Sequence, residues 1–165
     1  MTPRRLAVVL AALAAALAAP PALADGGGTG GGADVATDAG SPEVAQAVKL
    51  IDAGRPAEAI PLLKAHVAKS ANDASAHNWL GFAYRKTGNL DAAFMHYEQA
   101  LKIDPKHRGA HEYVGEAYLM VGNLAKAEEH LKALDKLCWL PCEQHADLKR
   151  AIADYKANGN RFVSR

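Results

Sequence analysis

The sequence predicts an all-α solenoid of stacked helix pairs, and three observations carry that prediction. From Ser41 onward apolar residues recur at helical spacing, with no convincing alternation of period two. Turn punctuation repeats, since Gly54, Gly88 and Gly122 stand 34 residues apart and Ala59, Ala93 and Ala127 keep the same interval. Residues 74–107 also align without a gap on 108–141, sharing Ala76/Ala110, Gly81/Gly115, Tyr84/Tyr118, Leu90/Leu124 and the histidine pairs His77/His111 and His96/His130.

The chain is 165 residues long, room for one domain of ordinary size, and half its residues are apolar. Lys and Arg total 19 against 18 for Asp and Glu. That balance argues against nucleic-acid binding through bulk charge and against a polybasic membrane-surface protein. With two Cys and 6% aromatics, neither a disulfide-dense mini-protein nor a wholly disordered chain fits.

The elements follow in order. Residues 1–24 read as a secretory signal peptide: Arg4 and Arg5 precede an apolar run from Leu6 to Ala19, and Pro20-Pro21-Ala22-Leu23-Ala24 supplies small residues for cleavage after Ala24. The run is shorter than the roughly 20 residues a membrane-spanning helix needs, so no stable span is expected after cleavage. Residues 25–40 form a Gly-rich leader expected to be disordered, because it has too few apolar groups to offset its ordering entropy. Seven helices then follow, at about 41–53, 56–70, 74–87, 90–103, 108–121, 124–138 and 143–157. Pro61 falls inside the second and is expected to kink it or delay its start. In the seventh, Leu148, Ile152 and Tyr155 make one apolar stripe opposite Asp147, Lys149, Arg150, Asp154 and Lys156, as a helix that caps a solenoid should, and residues 158–165 are a short tail.

With these positions in place, the chain resembles the tetratricopeptide repeat. Residues 74–107 match most closely, with Leu80-Gly81, Tyr84, Gly88, Ala93, Tyr97, Ala100 and Pro105 at motif positions. Residues 108–141 keep Gly115, Tyr118, Gly122, Ala127 and Leu131, but carry Val114, Leu134 and Trp139 where the motif has Leu, Ala and Pro. Residues 41–73 are a degenerate first repeat retaining Ala47, Leu50, Gly54, Ala59 and Leu63. The resemblance implies about three helix-turn-helix repeats plus a capping helix at 142–157. Independently of the family, Gly81, Gly115, Ala93 and Ala127 are small where two helices must approach closely.

The resemblance further implies a concave groove lined by the first helix of each pair. The positions it transfers include Val44, Val48, Ile51, Asp52, Ser75, Leu119 and Met120, and above all Asn78, Trp79, Phe82, Arg85, Lys86, Glu112, Tyr113 and Glu116. Aromatics mixed with an Asn, two cations and two acids suit a peptide or protein segment held by side-chain pockets. Glu112 and Glu116 would oppose an acidic peptide end.

Catalytic signals are absent: there is no Gly-x-Ser-x-Gly and no His-Glu-x-x-His, so no enzyme and no cofactor is expected. Cys138 and Cys142 flank Trp139-Leu140-Pro141, and in an exported protein a disulfide is the favoured reading, since Pro141 breaks the helix and lets the second Cys swing toward the first. Two packed thiols is the plainer alternative, and a redox pair the weakest, because the spacing is not Cys-x-x-Cys. His107 and His111 at i, i+4 raise a metal reading, but spacing alone is weak, and His96 and His130 are expected to face outward; no metal site is assigned. The function expected is a protein-binding adaptor of the periplasm or cell envelope. The alternative is a self-associating homo-oligomer that covers apolar surface left by the degenerate first repeat.

Overall fold

The computed structural model describes residues 40–163, all of which fall in one compact unit. The expected signal peptide, the leader up to residue 39 and the last two residues of the tail lie outside the described residues. Seven helices follow one another: α1 Pro42–Asp52, α2 Pro56–Lys69, α3 Ala74–Lys86, α4 Leu90–Ile103, α5 Arg108–Met120, α6 Leu124–Leu137 and α7 Glu143–Ala157. Their ends lie within one residue of the spans read from periodicity, because the punctuation is chemically explicit.

Helix starts are capped by side chains that accept from the first-turn backbone. Asn89 Oδ1 accepts from the Ala92 N–H and Asn123 Oδ1 from the Lys126 N–H, both at 3.1 Å, and Asp73 Oδ1 accepts from the Ala76 N–H at 2.9 Å. At the position equivalent to Asp73, the Nδ1 of His107 accepts from the Ala110 N–H at 3.1 Å, so that nitrogen carries no proton. Helix ends repeat as well. Gly88 and Gly122 have φ of 84° and 78°, and the next residue donates back into the helix, Asn89 N–H to Tyr84 O at 2.9 Å and Asn123 N–H to Tyr118 O at 2.8 Å. Only glycine takes that left-handed φ without strain, which is why the 34-residue glycine period is the most legible feature of the sequence.

Helices pair as α1 with α2, α3 with α4 and α5 with α6, each pair packs on the next, and α7 lies against α5 and α6. Pro61 neither delays nor breaks α2, which starts at Pro56 and runs through it. Pro56 supplies a start whose missing N–H is harmless, while Pro61 itself is exposed and Ala59 and Leu63 on either side are fully buried.

Three apolar clusters run along the stack. Val44, Leu63, Trp79 and Leu80 anchor the first, Ala93, Tyr97, Val114 and Ala117 the middle one, and Leu119, Leu134, Leu148 and Tyr155 the last. Tyr97 is completely buried, against a neighbouring backbone with no side chain: a Cβ built on Gly81 would stand 2.7 Å from the Tyr97 ring. A Cβ on Gly115 would stand 2.6 Å from Leu148 of α7. These two glycines therefore serve different contacts, one inside its own repeat and one to the terminal helix.

Gly81→Ala is expected to destabilise the fold by about 1–3 kcal/mol through overpacking against the rigid Tyr97 ring. Chemical denaturation checks this, and a variant as stable as the parent would contradict the close approach.

Candidate functional site

The site is built around one guanidinium. Arg85, in the last turn of α3, is only 6% exposed. Its Nη1 stands 2.7 Å from Glu116 Oε2 on α5, and its Nε donates to the Tyr97 hydroxyl on α4 at 3.3 Å. The guanidinium lies 5.0 Å from the centre of the Phe82 ring and 5.7 Å from that of Tyr113. Burial works against this charge, but Tyr97 and Glu116 outweigh it and hold the Arg85 pKa above its ordinary value.

The aromatics form a continuous wall. Phe82 and Tyr113 rings stand 4.8 Å apart, and Trp79 meets Phe82 edge-on at 5.8 Å and Tyr113 at 6.2 Å. Lys86, one residue beyond Arg85 and exposed, places its ammonium 5.6 Å from the centre of the Phe82 ring. Beside this wall lies a cavity of about 330 Å³, lined by Arg85, Lys86, Glu116, Met120, Asp154 and Tyr155, with Phe162 of the C-terminal segment at its edge.

Glu112 lies one turn before Glu116 on α5. It is 8% exposed, and its pKa is pushed up to about 9, first by burial and then by Glu116 and Asp147, with Arg85 pulling the other way. Burial also raises the Tyr113 hydroxyl, as does neighbouring Glu112. These surroundings favour the neutral, protonated form of Glu112.

The eight groove residues expected from sequence divide by burial. Phe82, Tyr113 and Glu116 are half-buried and Lys86 is exposed, whereas Trp79, Arg85, Glu112 and Asn78 are buried. Arg85 is thus a structural cation under the groove more than a contact on its surface. Asn78, 1% exposed, lies behind the face and packs its Nδ2 toward Gly109. Val44, Val48 and Leu119 belong to the core, because repeat positions that face the groove in one repeat are covered by the neighbouring helix in another.

The sequence reading missed α7 as a lining element. Glu143, Asp147, Ala151 and Asp154 fall at i, i+4, i+8 and i+11; Glu143 and Asp147 both act on Glu112, and Ala151 and Asp154 line the cavity. The signal was present as the polar side of the α7 stripe, but a polar helix side reads equally well as simply solvated.

His96 and His130 do not face outward. Each turns onto its partner on the preceding helix, with Nδ1 to Nδ1 distances of 3.1 Å for His77/His96 and 2.9 Å for His111/His130. Tyr84 and Tyr118 stack on the outer rings. His77 and His111 direct Nε2 to the carbonyls of Ala71 and Pro105, and burial, followed by the neighbouring histidine, pushes His96 and His130 down to about 4. Neutral histidines packed in pairs explain their repetition. Among the described residues no group of three or more His, Cys, Asp or Glu converges as a metal site would require. The sulfurs of Cys138 and Cys142 stand at disulfide-bonding distance with Cα atoms 5.8 Å apart, and the loop between them holds Trp139 88% and Leu140 58% exposed.

Comparison with known proteins agrees with the fold. A tetratricopeptide repeat family model matches residues 74–107 and a second matches 95–139. Among solved structures, the chain is similar to the type III secretion translocator chaperone SycD of Yersinia enterocolitica, at 21% identity and a TM-score of 0.63, over 80% of this chain and 97% of that one. No curated protein matches the sequence.

Glu112 makes a pH prediction with a definite sign. Its pKa is higher folded than unfolded, so the folded state holds the extra proton and stability falls as pH rises from about 4.5 toward 9. The slope from this group is at most about 1.4 kcal/mol per pH unit. Glu112→Gln, which keeps the shape without the ionisation, should remove that slope and melt above the parent by a margin that widens from pH 5 to pH 8, within the span of the shift. Parallel melting curves at all pH values would contradict the placement of Glu112.

Proposed function

Because this chain is a tetratricopeptide-repeat protein, we propose that it is an adaptor that binds a peptide or protein segment in the face formed by α3, α5 and α7, and that it works in the periplasm or cell envelope. The observation that carries the reading is the half-buried Phe82 and Tyr113 pair, backed by the buried Trp79, beside a cavity lined by the Arg85–Glu116 pair. Aromatic side chains held rigid by their neighbours give contact area at little entropic cost, which is the chemistry of a recognition surface. Nothing in the face pairs a nucleophile with a base, and no reaction is assigned.

The location rests on the expected signal peptide, and a Cys138–Cys142 disulfide formed in an oxidising compartment fits it. Among the described residues no helix is long and apolar enough to cross a membrane.

Self-association is the second reading, and one observation favours it: Trp139 and Leu140 are large, adjacent and exposed. The degenerate first repeat does not supply the apolar surface first expected, because no large apolar side chain among its described residues is exposed. A second copy would therefore meet the disulfide loop.

Affinity capture from an envelope extract, with the full chain as bait, tests the groove. Phe82→Ala with Lys86→Glu is the appropriate control, since both residues reach solvent and neither belongs to the Arg85 ion pair. A protein retained by the parent should be lost by the double variant, while helical content is unchanged. Sedimentation of the same baits reads self-association, which Trp139→Ser should abolish if the loop is the contact.

A further inference from the structure

We infer that the C-terminal segment Asn160–Val163 is an internal ligand of the proposed binding face. It seats Phe162 where the ends of α3 and α5 meet the side of α7, so this cleft takes an aromatic side chain from a short non-helical segment, and a partner has to displace the one already there. This rests on the groove reading and adds to it the kind of side chain accepted and what controls access.

The backbone carries the segment to the cleft. α1, α3 and α5 are each followed by a single left-handed glycine, Gly54, Gly88 and Gly122, and the next helix starts two residues later. After α7 two consecutive residues are left-handed, Gly159 with φ of 66° and Asn160 with φ of 62°, and Asn160 is the only non-glycine of positive φ among the described residues. Such a conformation is uncommon for a residue with a side chain, and Asn tolerates it better than most. The Asn160 N–H donates to the Tyr155 carbonyl at 2.9 Å, which closes α7 as the earlier helices are closed. Beyond it the chain folds back along its own helix: Phe162 lines one cavity together with Ala151 and Tyr155, eleven and seven positions before it.

One ring carries the contact. Phe162 is half-buried against the last apolar cluster, while Arg161 is exposed and Val163 is 60% exposed. Phe162 and Met120 border two cavities at once, the one of about 330 Å³ shared with Arg85 and Glu116 and another of about 490 Å³ shared with Leu119 and Gly122. A ring with open space on two sides is seated without being enclosed, and it holds its segment weakly enough to exchange with a competitor. The cleft is continuous with the aromatic pair. Lys86, whose ammonium stands 5.6 Å from the centre of the Phe82 ring, also lines the cavity that Phe162 borders. A segment laid on Phe82 and Tyr113 and running toward the helix ends therefore meets Phe162.

The test uses the isotope-labelled full chain and a capped peptide, Asn-Gly-Asn-Arg-Phe-Val, the sequence of residues 158–163. Amide shifts of Glu116, Met120 and Ala151 report on the cleft. A tethered segment has an effective concentration in the millimolar range, so the peptide should bind Phe162→Ser with Kd below about 1 mM and the parent about tenfold more weakly. The same peptide with Ser in place of Phe should shift neither chain. Gly159→Val is the second variant: a Cβ there meets nothing within 4 Å, so it acts through the left-handed φ alone, keeps Phe162, and should bind the peptide tighter than the parent does. Both substitutions lie outside the helices, and circular dichroism should show unchanged helical content. Parent and Phe162→Ser shifting alike, or neither shifting up to about 5 mM peptide, would overturn the internal ligand. The Ser peptide binding as well as the Phe peptide would overturn it too. Those results leave the Phe82 and Tyr113 face standing, since the capture with Phe82→Ala and Lys86→Glu decides that face separately.

Discussion

Arg85 is the interaction on which the proposed binding face depends. One guanidinium on α3 reaches Tyr97 on α4 and Glu116 on α5, so it ties a helix pair to the first helix of the next. The same guanidinium lies 5.0 Å from the centre of the Phe82 ring and 5.7 Å from that of Tyr113, so the two rings and the cation share one contact. A buried ion pair contributes little net stability over an apolar replacement, but removing one partner costs about 3–5 kcal/mol, because the other charge is left uncompensated. A groove built on such a pair is held in one geometry, which favours recognition over adaptability.

The end of the solenoid is as consequential as its middle. Leu148 of α7 fills the space above Gly115, while the equivalent Gly81 is covered by Tyr97 of its own repeat. A terminal helix in that place closes the last apolar cluster through Leu148, Ile152 and Tyr155 and brings Glu143 and Asp147 toward Glu112. Closing the fold and acidifying the face are done by opposite sides of one helix. The price is Glu112, an acid kept neutral by its surroundings, and such a tolerated cost belongs to a site more often than to a scaffold.

Elsewhere the repeats show how one pattern carries different roles. The equivalents Asp73 and His107 cap α3 and α5 through chemically different acceptors. The two histidine pairs keep the same Nδ1 contact and the same stacked tyrosine in both repeats, and are packing units. Repetition in sequence therefore marks architecture, and the face that binds is better sought where the repeats differ: Asn78 against Glu112, Phe82 against Glu116, and Arg85 against Leu119.

The sequence by itself determined the helices, their pairing and the period, because left-handed glycines, capping side chains and apolar spacing act within a few residues of one another. Gly88 and Asn89 close α3 and open α4 whatever stands elsewhere in the chain. The family resemblance, and not spacing alone, implied one face for Phe82, Arg85, Tyr113 and Glu116. Tertiary structure alone decided which of these reach solvent, that Arg85 is a buried tie, that Glu112 stays protonated and that α7 lines the groove. Burial and electrostatics sum over neighbours brought from distant parts of the chain, and Glu112 feels Asp147, 35 positions away, as well as Glu116 one turn along its helix. Spacing along the sequence records local geometry, and a pKa depends on everything that surrounds the group in space.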